Sequence, residues 1–237
     1  MGKKKDTEKE LKDASRVIRV TPPNFETLIV RVYNTPGSPL VTNMLNEGAD
    51  MSNPDIERPP RGQRTKRDKM EEMLHAFYVI PGETDVEKML AGKMGIIGLP
   101  ASGFAKGMQT YAKDSQNRAT LNAIQVQRNV FVFADEGCGR YVRVTCPQGG
   151  KMREDMVRQA GKNRAPMKRF RPEFKEWEAT LHIRYDASVF STEDVMNLLA
   201  NTGQKIGQCE LRPEKGYSCG MYEVDYESAK VTSNKKR

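Results

Sequence analysis

Two runs of this chain alternate apolar and polar side chains with a period of two. Residues 26–33 (ETLIVRVY) and 178–185 (EATLHIRY) each set aliphatic or β-branched side chains on one side and polar ones on the other. That period marks a strand with one buried face. In the second run Ala179, Leu181, Ile183 and Tyr185 face one way, and Thr180, His182 and Arg184 the other. Further strands are predicted at 123–126, 129–134 and 140–145, with Asp135-Glu136-Gly137-Cys138-Gly139 as a hairpin turn between the last two. An ordered apolar run lies at 94–100, and strands are expected near 206–211 and 219–225, with a turn at 213–218.

Helical periodicity is clearest at 192–202. Ser191 precedes it as N-cap, Asp194 completes a capping box, and Val195, Leu198 and Leu199 form one stripe. Gly203 then reads as a left-handed stop. A second helix is predicted at 102–113, capped by Ser102, with Phe104, Met108 and Tyr111 on one side. Residues 70–79 read as a short helix or strand. Without its insertions the order is strand, helix, strands, strand, helix, strand. That is the order of a ferredoxin-like α+β fold, an antiparallel sheet with helices on one face.

This order predicts one domain over 16–227, with insertions at about 41–93 and 147–175 and basic tails at 1–15 and 228–237. The insertions are polar and charged, and the tails are rich in lysine. Such composition buries too little apolar surface to fold by itself.

Charge narrows the partners. The 237 residues carry 39 Lys and Arg against 31 Asp and Glu, a net charge of +8. That balance favours an anionic partner such as nucleic acid. No run approaches the ~18 apolar residues of a membrane span, and the start, Met1-Gly2-Lys3-Lys4-Lys5, is followed by no apolar stretch of a secretory signal. No membrane contact is expected, and a cytoplasmic setting is (host cytoplasm for a phage-encoded chain). Cys138, Cys146, Cys209 and Cys219 form no C-x-x-C pair, and His75 and His182 lie far apart. These residues predict no metal site, and four free thiols, although bridges 138–146 and 209–219 remain open. No nucleotide-binding glycine pattern occurs, no cofactor is expected, and no catalytic residue is assigned.

Several motifs resemble known groups. Residues 98–108 (GLPASGFAKGM) resemble the small-residue turn and basic first helical turn of the CRISPR-associated RAMP superfamily. Residues 206–224 are similar to its C-terminal glycine-rich loop and closing strand. A closer similarity is to a group of phage and prophage proteins. It is carried by 35–40 (TPGSPL), 152–158 (MREDMVR), 171–177 (RPEFKEW) and 207–224. The RAMP resemblance implies a ferredoxin-like body and, for several members, a role coating guide RNA. It also points to Arg212, Lys215 and Tyr217 on the final loop, where a plain turn is the alternative.

The residues themselves predict contacts in three places. The stretch 151–175 holds Lys151, Arg153, Arg158, Lys162, Arg164, Lys168, Arg169, Arg171 and Lys175, with Phe170 and Phe174 interleaved. Such cations neutralise phosphates, and such rings stack on bases. The alternative is a charged linker with Phe170, Phe174 and Trp177 in the core. Arg58, Arg61, Arg64, Lys66 and Arg67 form a secondary basic arm. Ser102, Lys106 and the amides at 101–104 form a candidate phosphate site at a helix N-terminus, with an ordinary capped helix as the alternative. The leading expectation is non-enzymatic binding of single-stranded RNA or DNA in a basic groove, as a homo-oligomer along the strand. The alternatives are a phage structural or assembly protein, and a metal-dependent RNase of RAMP type using Glu154 and Asp155.

Overall fold

The computed structural model describes residues 23–44, 69–74, 76–78, 80, 97–114, 122–158 and 166–233. The strands are β1 (Phe25–Asn34), β2 (Leu40–Val41), β3 (Ile97–Pro100), β4 (Val130–Phe133), β5 (Tyr141–Thr145), β6 (Gly150–Arg158), β7 (Pro166–Phe174), β8 (Glu178–Asp186) and β9 (Tyr222–Ser233). The helices are α1 (Lys69–Leu74), α2 (Ala101–Asp114), α3 (Ala123–Asn129) and α4 (Thr192–Lys205), with a 3₁₀ turn at Pro213–Lys215. The fold is α+β with antiparallel sheets. No helix among the described residues is long and apolar enough to cross a membrane.

The larger sheet runs β3-β5-β8-β1-β9, with β4 also on β8. Its centre is the pairing of β1 with β8, in register from Phe25 opposite Asp186 to Tyr33 opposite Glu178. The alternation sends Leu28, Val30 and Val32 to the same side as Leu181, Ile183 and Tyr185, all fully buried. Phe104 and Met108 of α2, and Val195, Leu198 and Leu199 of α4, complete that core. Each such side chain contributes about 1.5–3 kcal/mol by leaving water. Ser191 caps α4 by accepting from the Asp194 amide, and Asp194 accepts in return from the Ser191 amide, as the sequence predicts.

Several predicted elements are corrected. Residues 123–126 are helix, not strand. Asn122 accepts a hydrogen bond from the Ile124 amide at 2.8 Å and starts α3, in which Val126 is buried while Ile124 is 54% exposed. The two apolar residues two apart imitate a strand, but only one of them faces the core. β4 and β5 are not a hairpin. Both pair with the same edge of β8, β4 at 182–185 and β5 at 178–179, so residues 134–140 are an excursion from one edge line. Gly203 does not stop α4. A Cβ there would lie 2.2 Å from the Tyr222 carbonyl oxygen, so glycine lets the helix approach β9, and Gly207 (φ +71°) is the left-handed residue beyond its end.

Residues 206–211 are a loop rather than a strand, and residues 228–233 belong to β9, paired with β1, rather than to a tail. The stretch 147–175 is no loose connection. It folds as the hairpin β6–β7, and β7 pairs in turn with β2. Part of the 41–93 insertion is ordered with it: Met73 and Phe77 are buried, and the Phe77 and Phe174 rings meet edge to face at 5.8 Å. The tail at 1–15 and most of that insertion lie outside the described residues. The four cysteines are free thiols, and burial pushes the Cys146 thiol up to about 12.

Candidate nucleic-acid interface

The basic stretch behaves differently from its prediction. Within the β6–β7 hairpin charged residues recur at every second position, and ion pairs run both along and across the strands, although Arg153 stands opposite Arg171. Arg153 donates to Asp155 at 2.8 Å and to Glu173 at 2.7 Å. Lys151 pairs with Glu173 at 3.0 Å and Lys168 with Glu154. Arg169 lies 3.7 Å from Glu72, and Arg171, only 5% exposed, lies 3.7 Å from Asp155. Burial works to raise the Glu173 carboxyl, but hydrogen bonds from Arg153 and Lys151 prevail and hold it below its usual range.

These cations therefore all take part in ion pairs: Arg171 is buried, while Lys151, Lys168 and Arg169 keep 59%, 59% and 43% of their side chains exposed. The pairs also hold Glu154 and Asp155, the acids of the nuclease alternative. Phe170, Phe174 and Trp177 are buried and serve the core. Lys162, Arg164, the side chain of Arg158 and the arm Arg58, Arg61, Arg64, Lys66 and Arg67 lie outside the described residues.

A different set does converge. The start of α2 and the loop after α4 face each other across a cleft of about 380 Å³. Ser102, Gly103, Lys106, Gly107 and Thr110 line it from the helix, and Gly207, Gln208, Cys209, Arg212 and Glu214 from the loop. The residues assigned to a helix N-terminus and to the final loop thus share one site. Lys215 and Tyr217 are exposed on the adjoining turn and do not line the cleft.

Local sequence explains the geometry. Pro100 immediately precedes α2 and has no N–H. Ser102 is the second residue of the helix, not its cap as the sequence predicts. The Ala101 amide is used by the Arg140 carbonyl at 3.1 Å, while those of Ser102 and Gly103 come too early to find an acceptor within the helix. The first turn holds no acidic residue, and Lys106 follows one turn on. This helix start suits an anion.

The loop opposite is held by backbone bonds directed away from the cleft. The Gln208 amide donates to the Gly220 carbonyl at 2.8 Å and the Glu210 amide to the Val41 carbonyl at 3.0 Å. Holding that path puts two non-glycine residues, Cys209 (φ 59°) and Leu211 (φ 54°), in the left-handed region. Strain of this kind costs about 1–3 kcal/mol per residue and gathers at functional sites. Sequence reasoning missed it, because neither residue type advertises a left-handed backbone. It also missed Gln208. That side chain is 4% exposed on the cleft wall, and it interacts with the buried Tyr222 hydroxyl without reaching good hydrogen-bond geometry. Arg212 donates from Nε to Glu214 at 2.7 Å and from Nη1 to the Cys209 carbonyl at 2.8 Å, which fixes its fork at the cleft. Burial pushes the Tyr78 phenol, also on the wall, up to about 12, so it stays a neutral hydrogen-bonding group.

No group of three or more His, Cys, Asp or Glu side chains is placed to hold a metal among the described residues. No family model matches the chain. No curated protein matches its sequence. Among solved structures it is similar to a chain of the type III-B Cmr-beta complex, determined by cryo-EM bound to cognate target RNA. The TM-score is 0.39 at 11% identity, over 97% of this chain and 66% of that one. This chain thus spans slightly less than two thirds of its neighbour's length. A likeness at that level carries no functional argument, and the reading below rests on this chain's own residues.

Proposed function

We propose that the chain is a non-enzymatic binder of single-stranded nucleic acid, RNA or DNA, that holds the phosphate backbone in the cleft between α2 and the 206–214 loop. One observation carries the reading: Ser102 and Lys106 meet Arg212 across a single cleft, although the chain separates them from it by 110 and 106 residues. A phosphate there accepts from the first amides of α2, from the Ser102 hydroxyl and from Lys106. It also competes with Glu214 for the Arg212 fork. Charge-assisted bonds of this kind are the strong ones. The net charge of +8 works in the same direction at longer range.

The strand order supports a ferredoxin-like body. β1, the β4–β5 edge line, β8 and β9 take the four strand places, α2 follows the first strand, and α4 follows the third. Assembly of several copies along one strand belongs to the same proposal.

Fluorescence anisotropy with labelled oligouridylate and oligothymidylate tests it. Two phosphate contacts on a single strand give a log–log salt slope of about −1.4, so affinity falls several-fold between about 50 and about 200 mM salt. Absence of binding at the lower salt, or binding indifferent to salt, contradicts the proposal.

A further inference from the structure

The helices cover one face of the larger sheet, and the side chains on the other face are sorted by chemistry. Directly opposed residues share a face, so the register fixes the rows. Phe131 of β4 stands opposite Arg184 of β8, and Phe133 stands opposite His182. On β1, His182 meets Ile29, which in turn meets Lys230 of β9. Phe131 and Phe133 are 38% and 47% exposed, unusual values for phenylalanine in a strand. Phe131 touches the Phe25 ring at 6.3 Å, and the Arg184 guanidinium lies over that ring at 4.3 Å. Arg184 Nε is shielded from solvent and has no hydrogen-bond partner among the described residues.

Charge is divided along the strands. Arg184 and Lys230 lie at the phenylalanine end, where the carboxylate of Asp186, in the row of Phe25, is only 6% exposed and accepts from Ser188. The carboxylates Glu178, Glu223 and Asp225 lie at the other, where Arg31 pairs with Asp225 at 2.7 Å and with Glu178 at 3.2 Å.

We infer that this face is a base-stacking platform for single-stranded nucleic acid: Phe131 and Phe133 take the bases, while Arg184 and Lys230 face the phosphates. The inference rests on the proposed nucleic-acid function and adds a second contact region to it. Exposed rings beside cations set apart from the carboxylates fit a polymer that offers flat π faces on an anionic thread. A purely apolar partner would leave Arg184 and Lys230 unmatched.

The test replaces both rings by leucine, Phe131→Leu with Phe133→Leu, which keeps the surface apolar and removes its π faces. Affinity for oligothymidylate is expected to fall about tenfold or more, with the salt slope unchanged. Phe131→Tyr with Phe133→Tyr is expected to bind like the wild type. An abasic oligonucleotide of the same length is expected to bind the wild type and the leucine variant alike. The tyrosine variant and the abasic probe keep the comparison decisive if the leucine variant is less stable. Full affinity for oligothymidylate in the leucine variant overturns the platform and leaves the cleft standing, including where sedimentation shows the face joining two copies of the chain. A wild-type chain that binds no oligonucleotide overturns the platform and the cleft together.

Discussion

Replacing Lys106 by Glu and Arg212 by Gln together is expected to lower affinity for single-stranded oligonucleotides about a hundredfold at low salt. The magnitude follows from removing two charge-assisted hydrogen bonds, each contributing about 1.5–3 kcal/mol. The salt slope is expected to shrink at the same time by about 0.7 for each phosphate left without its cation. That second readout separates an unneutralised phosphate from a general weakening. Lys106 is exposed, so Lys106→Glu alone is expected to melt like the wild type. Arg212 is only 31% exposed and its Nη1 also donates to the Cys209 carbonyl, so the double variant is expected to lose some stability, and the salt slope rather than the melting transition carries the test. Unchanged affinity with an unchanged salt slope places the phosphates elsewhere.

Gly220→Ala is expected to be the most destabilising of the single glycine replacements near the cleft. Gly220 has φ +69°, and a Cβ there would lie 2.0 Å from the Gln208 carbonyl oxygen. The Gly220 carbonyl accepts from the Gln208 amide, and its own amide donates to the Pro39 carbonyl, both at 2.8 Å. Neither backbone segment can yield without breaking those bonds. Left-handed strain adds about 1–2 kcal/mol for alanine, and the clash takes the total to about 3 kcal/mol or more. Gly37→Ala is the control. Gly37 has φ +79° with nothing within 4 Å of its Cβ position, so only the strain applies. Urea unfolding of both variants checks the difference. Equal losses at the two positions contradict the packing described for the 206–212 loop.

What the sequence made legible follows from how each element is stabilised. β1, β8 and α4 bury apolar side chains at regular spacing, and their periods are plain in 26–33, 178–185 and 192–202. The β6–β7 hairpin has a period of two written largely in charge. Arg153 and Asp155 on one strand, with Arg171 and Glu173 on the other, form its ladder of pairs. A reading that looks for apolar alternation sees a loop there, and one that sums positive charge sees a groove. Both miss the carboxylates that pair with those cations.

Ser102, Lys106 and Arg212 were identifiable as separate candidates because each belongs to a local motif. Their meeting depends on how α2 packs against α4, which no local pattern contains. Phe131 and Phe133 hid for a related reason. Strand phenylalanines normally face a core, and only the pairing of β4 with β8 shows these two turned toward the opposite face.

The most direct test of the cleft is amide hydrogen exchange with and without a bound single-stranded oligonucleotide. The amides of Ser102 and Gly103 have no acceptor in the helix they open, so they exchange fast in the free chain and slow when a phosphate accepts from them. The account predicts added protection in the first turn of α2 and across 206–212, with little change in 150–158 and 166–174. Protection confined to the hairpin, with none at the start of α2, would contradict it.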